Sequence, residues 1–448
     1  MLYKIRTKVF SRLFQQTQTP RWRFTSNGKI ILAIAFISSI IGIDTRQNLS
    51  YQIFSLLAAL ILVAILFSSR KKNQFHIERS LPSLATAEQE ITYHITINNL
   101  IDKNYSDIFI SDKLRSTLPS TVEFKNFHDS VGNKENSFDR LVGFPRWLRL
   151  VEKKLGASEP SNILTNLPAL QKREVTFKLT PLRRGYINFS GITIGLPDTL
   201  GLFQRFQNLT STDQLLILPK RYKIPSISLK GNSHHHPGGV ALASSIGDAS
   251  EFHGLRDYRP GDPIRHIHWR SWARTGSPVV KTYEQEYFVH HALVLDTYTK
   301  HIPPHLFEEA VSIAASLALN IDDQESLLDL LFIAKQRYQI TSGRHTEGIQ
   351  TFLEVLACVE PQHENSVSEL KQFILESVNI LSNVICIFLT LDEQRDEMIQ
   401  ALKEREVNLI ILVLCDEKPN HDIQHNQLFY IRAGRVEEDL KQLSTLNK

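Results

Sequence analysis

Two apolar runs near the N-terminus constrain this chain more than any other feature of its sequence. The first covers residues 30–43 (IILAIAFISSIIGI) and the second covers residues 49–67 (LSYQIFSLLAALILVAILF). A membrane-spanning helix needs about 20 mostly apolar residues. The second run reaches this length, and the first does so only with the help of Lys29, whose long side chain can extend to the interface. The sequence therefore predicts a two-helix transmembrane hairpin over residues 29–69.

Basic residues flank the two apolar runs and predict their orientation. Residues 1–28 carry several Lys and Arg residues and no acidic residue, and residues 70–72 (RKK) follow the second run. The bias of basic flanks toward the cytoplasm predicts a multi-pass cell-membrane protein with a basic cytoplasmic leader (1–28) and a cytoplasmic C-terminal part. A cleaved signal peptide is one alternative, which the long basic leader and the lack of a small-residue cleavage motif disfavour. A core hairpin of a soluble domain is the other.

Length and charge set the outer bounds for the rest of the chain. A chain of 448 residues is long enough for two or three domains with their own cores. The net charge of +4 is too small to indicate a nucleic-acid partner. Cys358, Cys386 and Cys415 lie in apolar stretches without a CxxC motif, so we expect buried free thiols and a reducing compartment.

Residues 73–220 are predicted to form a β-sandwich-like domain. Short runs of alternating polar and apolar residues, bounded by Gly and Pro, are typical of antiparallel strands. These runs are residues 90–100, 106–114, 173–182 and 185–198. A polar insertion, residues 126–165, interrupts them and contains the patch FPRWLRLVEKKLG around Trp147. We expect this patch to be a surface helix that covers a sheet edge, the alternative being contact with the membrane surface.

Residues 290–448 are predicted to form an open, doubly wound α/β domain. Continuous apolar strands alternate here with helices, which indicates a parallel sheet covered on both faces. The predicted strands are 290–298, 326–335, 383–391, 408–415 and 428–432, and the predicted helices are 305–320, 346–358, 366–379, 392–406 and 435–446. Ligands of such sheets bind at the carboxyl ends of the strands. There Asp296, Thr341 and Asp392 offer oxygens that could in principle hold Mg²⁺.

The segment 246–286 between these regions concentrates arginines, histidines and tryptophans around rigid turn residues. Pro260-Gly261 predicts a type II turn, with Asp262 accepting hydrogen bonds from nearby amides. As a rigid staple between the domains, the segment would pair arginines with carboxylates and bury its two indole rings. The expected ion pairs join Arg256, Arg259 and Arg265 to Glu251, Asp257 and Asp262, and the rings are those of Trp269 and Trp272.

Two further interpretations of this segment remain open. In the first interpretation, the segment is a partner-binding surface, because arginine and tryptophan are enriched among interface hot spots. The other is a metal-dependent hydrolytic enzyme or metal sensor that uses His253, His266 and His268, with His266-x-His268 on one face of a strand. The histidines at 234–236 add a second cluster. A His-x-His pair without a third ligand is a weak metal signal, so we favour the first two interpretations.

Three stretches of the chain resemble one family. They are LRRGYINFSGITIGLPDTLGLF with the following LLILPK (182–220), EFHGLRDYRPGDPIRHIHWRSWARTGSPVVKTYEQE (251–286) and the strand end LVLDTY. They resemble the domain of unknown function 58 (DUF) family. The resemblance implies a linker and arginine-rich family motif over 221–289 and a von Willebrand factor type A-like domain over 290–448. It also implies work with a MoxR-type AAA+ ATPase in the assembly or maturation of other proteins, and no established catalysis.

The family motif supplies the candidate binding residues of this chain. They are Arg256, Tyr258, Arg259, Pro260, Gly261, Asp262, Arg265, Trp269 and Arg274. The chain departs from the pattern at His268, where the family more usually has an acidic residue. It departs again at Tyr298 and Lys300, which follow Asp296 where metal-binding type A domains have Asp-x-Ser-x-Ser, so we expect a degenerate metal site and no cofactor. The sequence thus predicts a membrane-anchored, non-enzymatic scaffold or adaptor with protein partners and no nucleic acid.

Overall fold

Two units, Met1–Lys220 and Arg221–Lys448, divide the chain in the computed structural model. The structure describes residues 2–18, 22–41, 48–68, 75–115, 117–127, 142–198, 200–224, 250–285, 289–300, 302–321, 326–342, 346–363, 367–405, 407–417 and 427–441. Helices and several sheets build both units, so the chain is multidomain as the sequence predicts.

Helices form the N-terminal part of the first unit. Its elements are α1 (Leu2–Gln18), β1 (Trp22–Phe24), α2 (Ser26–Ile41) and α3 (Asn48–Ser68). Helices α2 and α3 pack against each other. Among the described residues, one helix is long and apolar enough to cross a membrane, over Leu49–Leu66 in α3, with a mean hydropathy of 2.3. Helix α2 is apolar, but its 16 residues fall short of that length.

Two antiparallel sheets of the first unit enclose one hydrophobic core. The strands are β2 (Phe75–Ser80), β3 (Leu84–Thr86), β4 (Ile91–Asn99), β5 (Tyr105–Arg115), β6 (Ser161–Leu167), β7 (Lys172–Leu179), β8 (Gly185–Pro197) and β9 (Phe203–Leu218). One sheet has the order β1-β9-β8-β5-β6, with β3 parallel to β9, and the other has the order β2-β4-β7. In β7, Val175, Phe177 and Leu179 are buried while the residues between them face outward, which is the alternation that the sequence shows.

The predicted insertion contains regular structure at both of its described ends. Helices α4 (Thr121–Asn126) and α5 (Phe144–Leu155) flank the undescribed stretch, and β6 begins at Ser161 and pairs with β5. Trp147 is fully buried, with its ring 6.0 Å from that of Phe10 and 5.6 Å from that of Phe14. The patch is therefore a helix that covers the core, and the alternative of Trp147 touching a membrane is wrong because α1 lies over the ring.

The first described strands of the second unit form a two-stranded hairpin, β10 (Ser250–Asp257) and β11 (Val279–Gln285). A 3-10 turn (Ile264–His266) and α6 (Trp269–Thr275) lie between its strands. In the predicted linker and family motif (221–289), residues 225–249 are not described, so the histidines at 234–236 lie outside the described residues.

A six-stranded sheet with helices forms the rest of the second unit. Its elements are β12 (Val289–Leu295), α7 (Pro304–Asn320), β13 (Ser326–Ile333), β14 (Arg337–Ser342), α8 (Thr346–Cys358), α9 (Val367–Ser377), β15 (Asn383–Phe388), α10 (Glu393–Lys403), β16 (Asn408–Cys415), β17 (Leu428–Arg432) and α11 (Val436–Leu440). The strand order is β14-β13-β12-β15-β16-β17. Every pair is parallel, as predicted, except β13 with the edge strand β14, which the sequence did not indicate.

The cysteines only partly follow the prediction of buried thiols. Cys386, in the central strand β15, is buried, and Cys415 is half-buried. Cys358 is exposed, because it is the last residue of α8 and lies where the helix leaves the core. The prediction is therefore wrong for Cys358.

Candidate functional site

An ion pair closes the carboxyl end of the central strand β12. Asp296 follows this strand and is buried, with a side chain that is 1% exposed. Its Oδ2 accepts hydrogen bonds from Arg395 Nε at 2.8 Å and Arg395 Nη2 at 2.5 Å, and its Oδ1 accepts one from the Tyr298 amide at 3.0 Å. Burial raises the pKa of Asp296, while the Arg395 guanidinium and the backbone amides of Tyr298 and Leu389 act in the opposite direction.

Arg395 also binds the second carboxylate that the sequence proposed as a metal ligand. Its Nη1 lies 2.5 Å from Asp392 Oδ2, and its backbone amide donates to Asp392 Oδ1 at 3.0 Å, which makes Asp392 the N-cap of α10. A cation in the first turn of a helix opposes the helix dipole. Two carboxylates offset that cost here, so one guanidinium stands between Asp296 and Asp392, where a divalent cation would need to bind.

Thr341, the third proposed ligand, is not part of this arrangement. The sequence predicts that it lies in a loop at the carboxyl end, but it lies within β14, opposite Asp329. Asp329 in turn pairs with Ala292, four residues before Asp296 in β12. At about 3.3 Å per residue, this separation is about 13 Å along the strand. Because β14 runs antiparallel to β13, Thr341 near the end of β14 lies toward the amino ends of the parallel strands, away from Asp296.

Arg395 is not among the residues that the sequence predicts for this site. The sequence does contain a signal that could have identified it. Arg395 lies three residues after Asp392, at the start of a predicted helix, where the helix dipole disfavours a cation that has no carboxylate partner. Tyr298 and Lys300, the two departures from the metal-binding pattern, follow Asp296 in the chain, with Tyr298 half-buried and Lys300 exposed. The arrangement is a preformed and internally neutralised strand tip.

The arginine-rich segment is held by a turn and an ion pair. Asp262 accepts hydrogen bonds from both terminal nitrogens of Arg256, at 2.7 and 2.6 Å, and from the Arg259 amide at 2.8 Å. The Asp262 amide donates to the Arg259 carbonyl at 3.0 Å, and Gly261 has a φ of +105°. These features confirm the predicted type II turn, since its third residue needs a positive φ.

The remaining predicted ion pairs do not form among the side chains that the structure describes, and the side chain of Glu251 lies outside them. Arg259 contributes its backbone amide to Asp262, and neither its side chain nor that of Arg265 has an ion-pair partner in the part of the chain that the structure describes. The Tyr258 amide donates to the Pro278 carbonyl at 3.0 Å, which ties the turn to the start of β11. These contacts lie inside the segment, which belongs wholly to the second unit.

Trp269 is exposed, contrary to the prediction that both indoles are buried. Its residue exposure is 60%, and its ring stacks on that of half-buried Trp272 at a centroid distance of 5.3 Å. Arg270, Ala273 and Arg274 are exposed as well. Positions 269, 270, 273 and 274 share one face of a helix, so α6 presents tryptophan and arginine together to solvent.

The histidines do not form the strand face that the enzyme interpretation needs. His266 ends the 3-10 turn, and His268 precedes α6, where its Nδ1 lies 2.7 Å from Ser271 Oγ. His253 lies in β10 at a register shift, and its side chain is not described. The described residues contain no group of three His, Cys, Asp or Glu side chains that could hold a metal ion.

Two sequence comparisons found relatives of this chain. Residues 254–419 match the family model described as protein of unknown function DUF58. An uncharacterized protein of Bacillus subtilis (strain 168), YeaD, is 25% identical over 194 residues, which are 42% of this chain and 47% of that protein. The chain thus spans about half the length of this relative.

A solved structure that aligns with the chain is the solution structure of a CARDB domain from Pyrococcus furiosus. The alignment has 10% identity and covers 33% of this chain and 96% of that domain, with a TM-score of 0.18, which does not indicate a shared fold. The family match covers most of the arginine-rich segment and of the α/β region, and together with the YeaD relative it supports the DUF58 family for this chain.

Proposed function

We propose that this protein is a membrane-anchored, non-enzymatic adaptor that binds a protein partner through its arginine-rich surface. This surface consists of Arg259, Arg265, Trp269, Arg270 and Arg274. The observation that carries the proposal is that all five side chains are exposed on a segment whose turn is fixed by the Arg256–Asp262 pair. Exposed tryptophan and arginine on a preorganised support are the side chains that dominate protein interfaces.

The charge of this surface defines the kind of partner. The neighbouring acidic residue Asp262 is already engaged with Arg256, which leaves the four arginines of the surface to attract a partner. Guanidinium groups bind carboxylates in a bidentate geometry. The partner therefore presents carboxylates around an apolar recess that accepts the Trp269 ring, and the family resemblance makes a MoxR-type AAA+ ATPase the first candidate.

The strand tip supports an adaptor more than an enzyme. A doubly wound sheet with a loop-lined carboxyl end fits a von Willebrand factor type A-like domain. In this chain, Arg395 occupies the position between Asp296 and Asp392, so the domain engages its partner without a metal ion. The competing metal-dependent enzyme would retain zinc through purification, and metal analysis of the purified chain tests that directly.

The anchor of the adaptor is the pair α2 and α3. Most of their outward side chains are aliphatic or aromatic, including Phe36 at 66% exposure and Leu56 at 67% exposure, and exposed polar residues such as Lys29 and Gln52 lie in the first half of each helix. Such a largely apolar exterior is costly in water and suits lipid. We propose that α3 spans the membrane and that α2 spans it too, with Lys29 reaching the interface, and that both flanks face the cytoplasm.

Photo-cross-linking in native membranes tests the docking proposal. A photoreactive residue replaces Trp269 in the full-length chain, and the same residue at the exposed Thr92 of the first unit provides the background. We expect a partner that cross-links from position 269 only. We expect the same partner to be lost in the variant Arg270→Glu/Arg274→Glu and retained in Arg405→Glu, a charge reversal at another exposed arginine of the second unit. Equal cross-linking in all variants would refute the proposal.

A further inference from the structure

The N-terminal helix α1 has two faces with different surroundings. Phe10 and Phe14 face the first unit, where Phe10 is 6% exposed and contacts the rings of Phe124 and Phe144. Thr7, on the same face, lies with its Oγ1 3.2 Å from Thr121 Oγ1. These contacts fix the rotation of α1 about its own axis.

An apolar stripe occupies the opposite face of α1. Ile5, Val9 and Leu13 are 54%, 46% and 46% exposed, and their spacing of four residues places them on one line along the helix. Three such aliphatic side chains in a row favour an apolar surrounding, because each gains free energy on leaving water. The core contact of Phe10 prevents α1 from rotating to bury them, so the described residues of the first unit leave this stripe open to an apolar surface.

Basic residues border the apolar stripe. Lys8 and Arg12 lie beside it and are exposed, Lys4 precedes them on the same side, and α1 contains no acidic residue. A helix with an apolar face, a basic border and a polar overall composition is the kind that lies in the interface of an anionic membrane. The apolar residues enter the acyl boundary, and the cations bind headgroup phosphates.

The position of α1 in the first unit also indicates contact with a membrane surface. Four residues after α1, the exposed Trp22 begins β1, and its ring lies 5.6 Å from Phe24 and 5.9 Å from Phe203. Two residues after β1, α2 begins, and its Gly28 approaches the Leu202 backbone. Tryptophan beside the end of a membrane helix is typical of the membrane interface. Because the connection from α1 to β1 is short, α1 stays close to Trp22 and therefore close to the proposed membrane interface.

From these observations we infer that α1 is an interfacial helix, which binds the anionic lipid surface around the anchor through Ile5, Val9 and Leu13 and through Lys8 and Arg12. This inference rests on the proposed membrane anchor. It means that the first unit has two attachments to the membrane, the hairpin and α1. With both in place, the first unit is restricted in orientation relative to the lipid surface.

Depth-dependent fluorescence quenching in nanodiscs tests the inference on the full-length chain. The background is Cys358→Ser/Cys415→Ser, which leaves only the buried Cys386. A fluorophore is attached at Val9→Cys, at Leu62→Cys in the middle of α3, or at the exposed Thr92→Cys as the reference. The nanodiscs contain phosphatidylcholine with or without phosphatidylglycerol, and lipids with spin labels at a shallow or a deep acyl position.

We expect the shallow quencher to act on Val9→Cys and the deep quencher to act on Leu62→Cys, with neither acting on Thr92→Cys. Each basic residue near an anionic surface contributes about fivefold to binding, so Lys8→Ala/Arg12→Ala should lower the docking equilibrium of α1 by up to about 25-fold. Omitting phosphatidylglycerol should have a similar effect. Both side chains are exposed, so the double variant retains the fold.

Two outcomes separate this inference from the anchor proposal. Quenching at Leu62→Cys together with a Val9→Cys signal equal to that of Thr92→Cys would overturn the interfacial helix and leave the anchor intact. An absence of quenching at both Leu62→Cys and Val9→Cys would overturn both. Quenching at Val9→Cys that is the same with and without phosphatidylglycerol would overturn the role of the basic border and leave the apolar stripe alone in contact with lipid.

Discussion

Replacing Arg395 by methionine is the perturbation that best tests the reasoning about the strand tip. Methionine approximates the length of the arginine side chain but carries no charge and donates no hydrogen bond. It removes two hydrogen bonds from Asp296 and one from Asp392, and it leaves the Asp296 carboxylate buried without a cation. Asp392 keeps water within reach, since its side chain is 44% exposed.

The loss of stability should be dominated by Asp296. Removing one partner of a buried ion pair costs about 3–5 kcal/mol, because the remaining charge stays desolvated. This is a large part of the total of about 5–15 kcal/mol for a typical domain. The companion variant Asp296→Asn/Arg395→Met removes both charges, and we expect it to recover most of the loss. Arg405→Met, at an exposed arginine after α10, should change stability by less than about 0.5 kcal/mol.

The pH dependence of Arg395→Met follows from the same burial. Burial raises the pKa of Asp296, and without the guanidinium only the backbone amides oppose this. Between the usual aspartate pKa of about 3.9 and the raised folded-state pKa, the folded variant binds one proton more than the unfolded chain. Its stability therefore falls as the pH rises through this window, by up to about 1.4 kcal/mol per pH unit. The deficit relative to the unmodified chain should shrink on acidification.

Pulsed thiol labelling in urea measures this loss in the second unit alone. All cysteines of the chain lie beyond residue 220, and Cys386 in β15 is fully buried. Burial, with a smaller contribution from Asp296, raises the pKa of the Cys386 thiol to about 12, so it reacts only when the sheet opens. Mass spectrometry of the Cys386 peptide then gives the fraction unfolded at each urea concentration. A labelling midpoint for Arg395→Met equal to that of the unmodified chain would refute the proposed role of the ion pair.

Three further predictions concern metal, anchor and turn. Millimolar Mg²⁺ should leave the melting temperature of the second unit unchanged, because a guanidinium already neutralises the strand-tip carboxylates; a clear rise would contradict this. Gly28→Ala should lower the melting temperature of the first unit, since its Cβ would clash with the Leu202 carbonyl oxygen, whereas Asn27→Ala on the same turn should have little effect. Asp262→Asn should raise hydrogen exchange in its turn at neutral pH. The Arg256 guanidinium and a backbone amide lower the pKa of Asp262, so the unmodified turn should lose its protection only as the pH falls through that lowered pKa, and unchanged exchange in the variant would refute the role of the pair.

Local patterns in the sequence were enough to predict many of the elements. The alternation in β7 identifies a strand that is buried on one face, and the continuous apolar runs of β15 and β16 identify strands that are buried on both faces. This is possible because successive side chains of a strand point to opposite faces of the sheet. The type II turn at Pro260-Gly261 was predictable for the same reason, since proline fixes its own φ and glycine tolerates a positive φ whatever surrounds them. The apolar composition of α2 and α3 likewise follows from the sequence alone.

The tertiary structure decided which distant residues meet. Arg395 follows Asp296 by 99 residues, and no local pattern indicates that its guanidinium fills the strand tip. The antiparallel direction of β14 removes Thr341 from that site, and direction in a sheet depends on the crossover and not on the strand. Likewise, the aromatic contacts of Phe10 turn the apolar stripe of α1 outward. By itself, the sequence determined the elements and the family motif, because these depend on neighbours along the chain. Other features depend on neighbours in space, which only the tertiary structure brings together. They are the position of Arg395 at the strand tip, the exposure of Trp269 and the outward apolar stripe of α1.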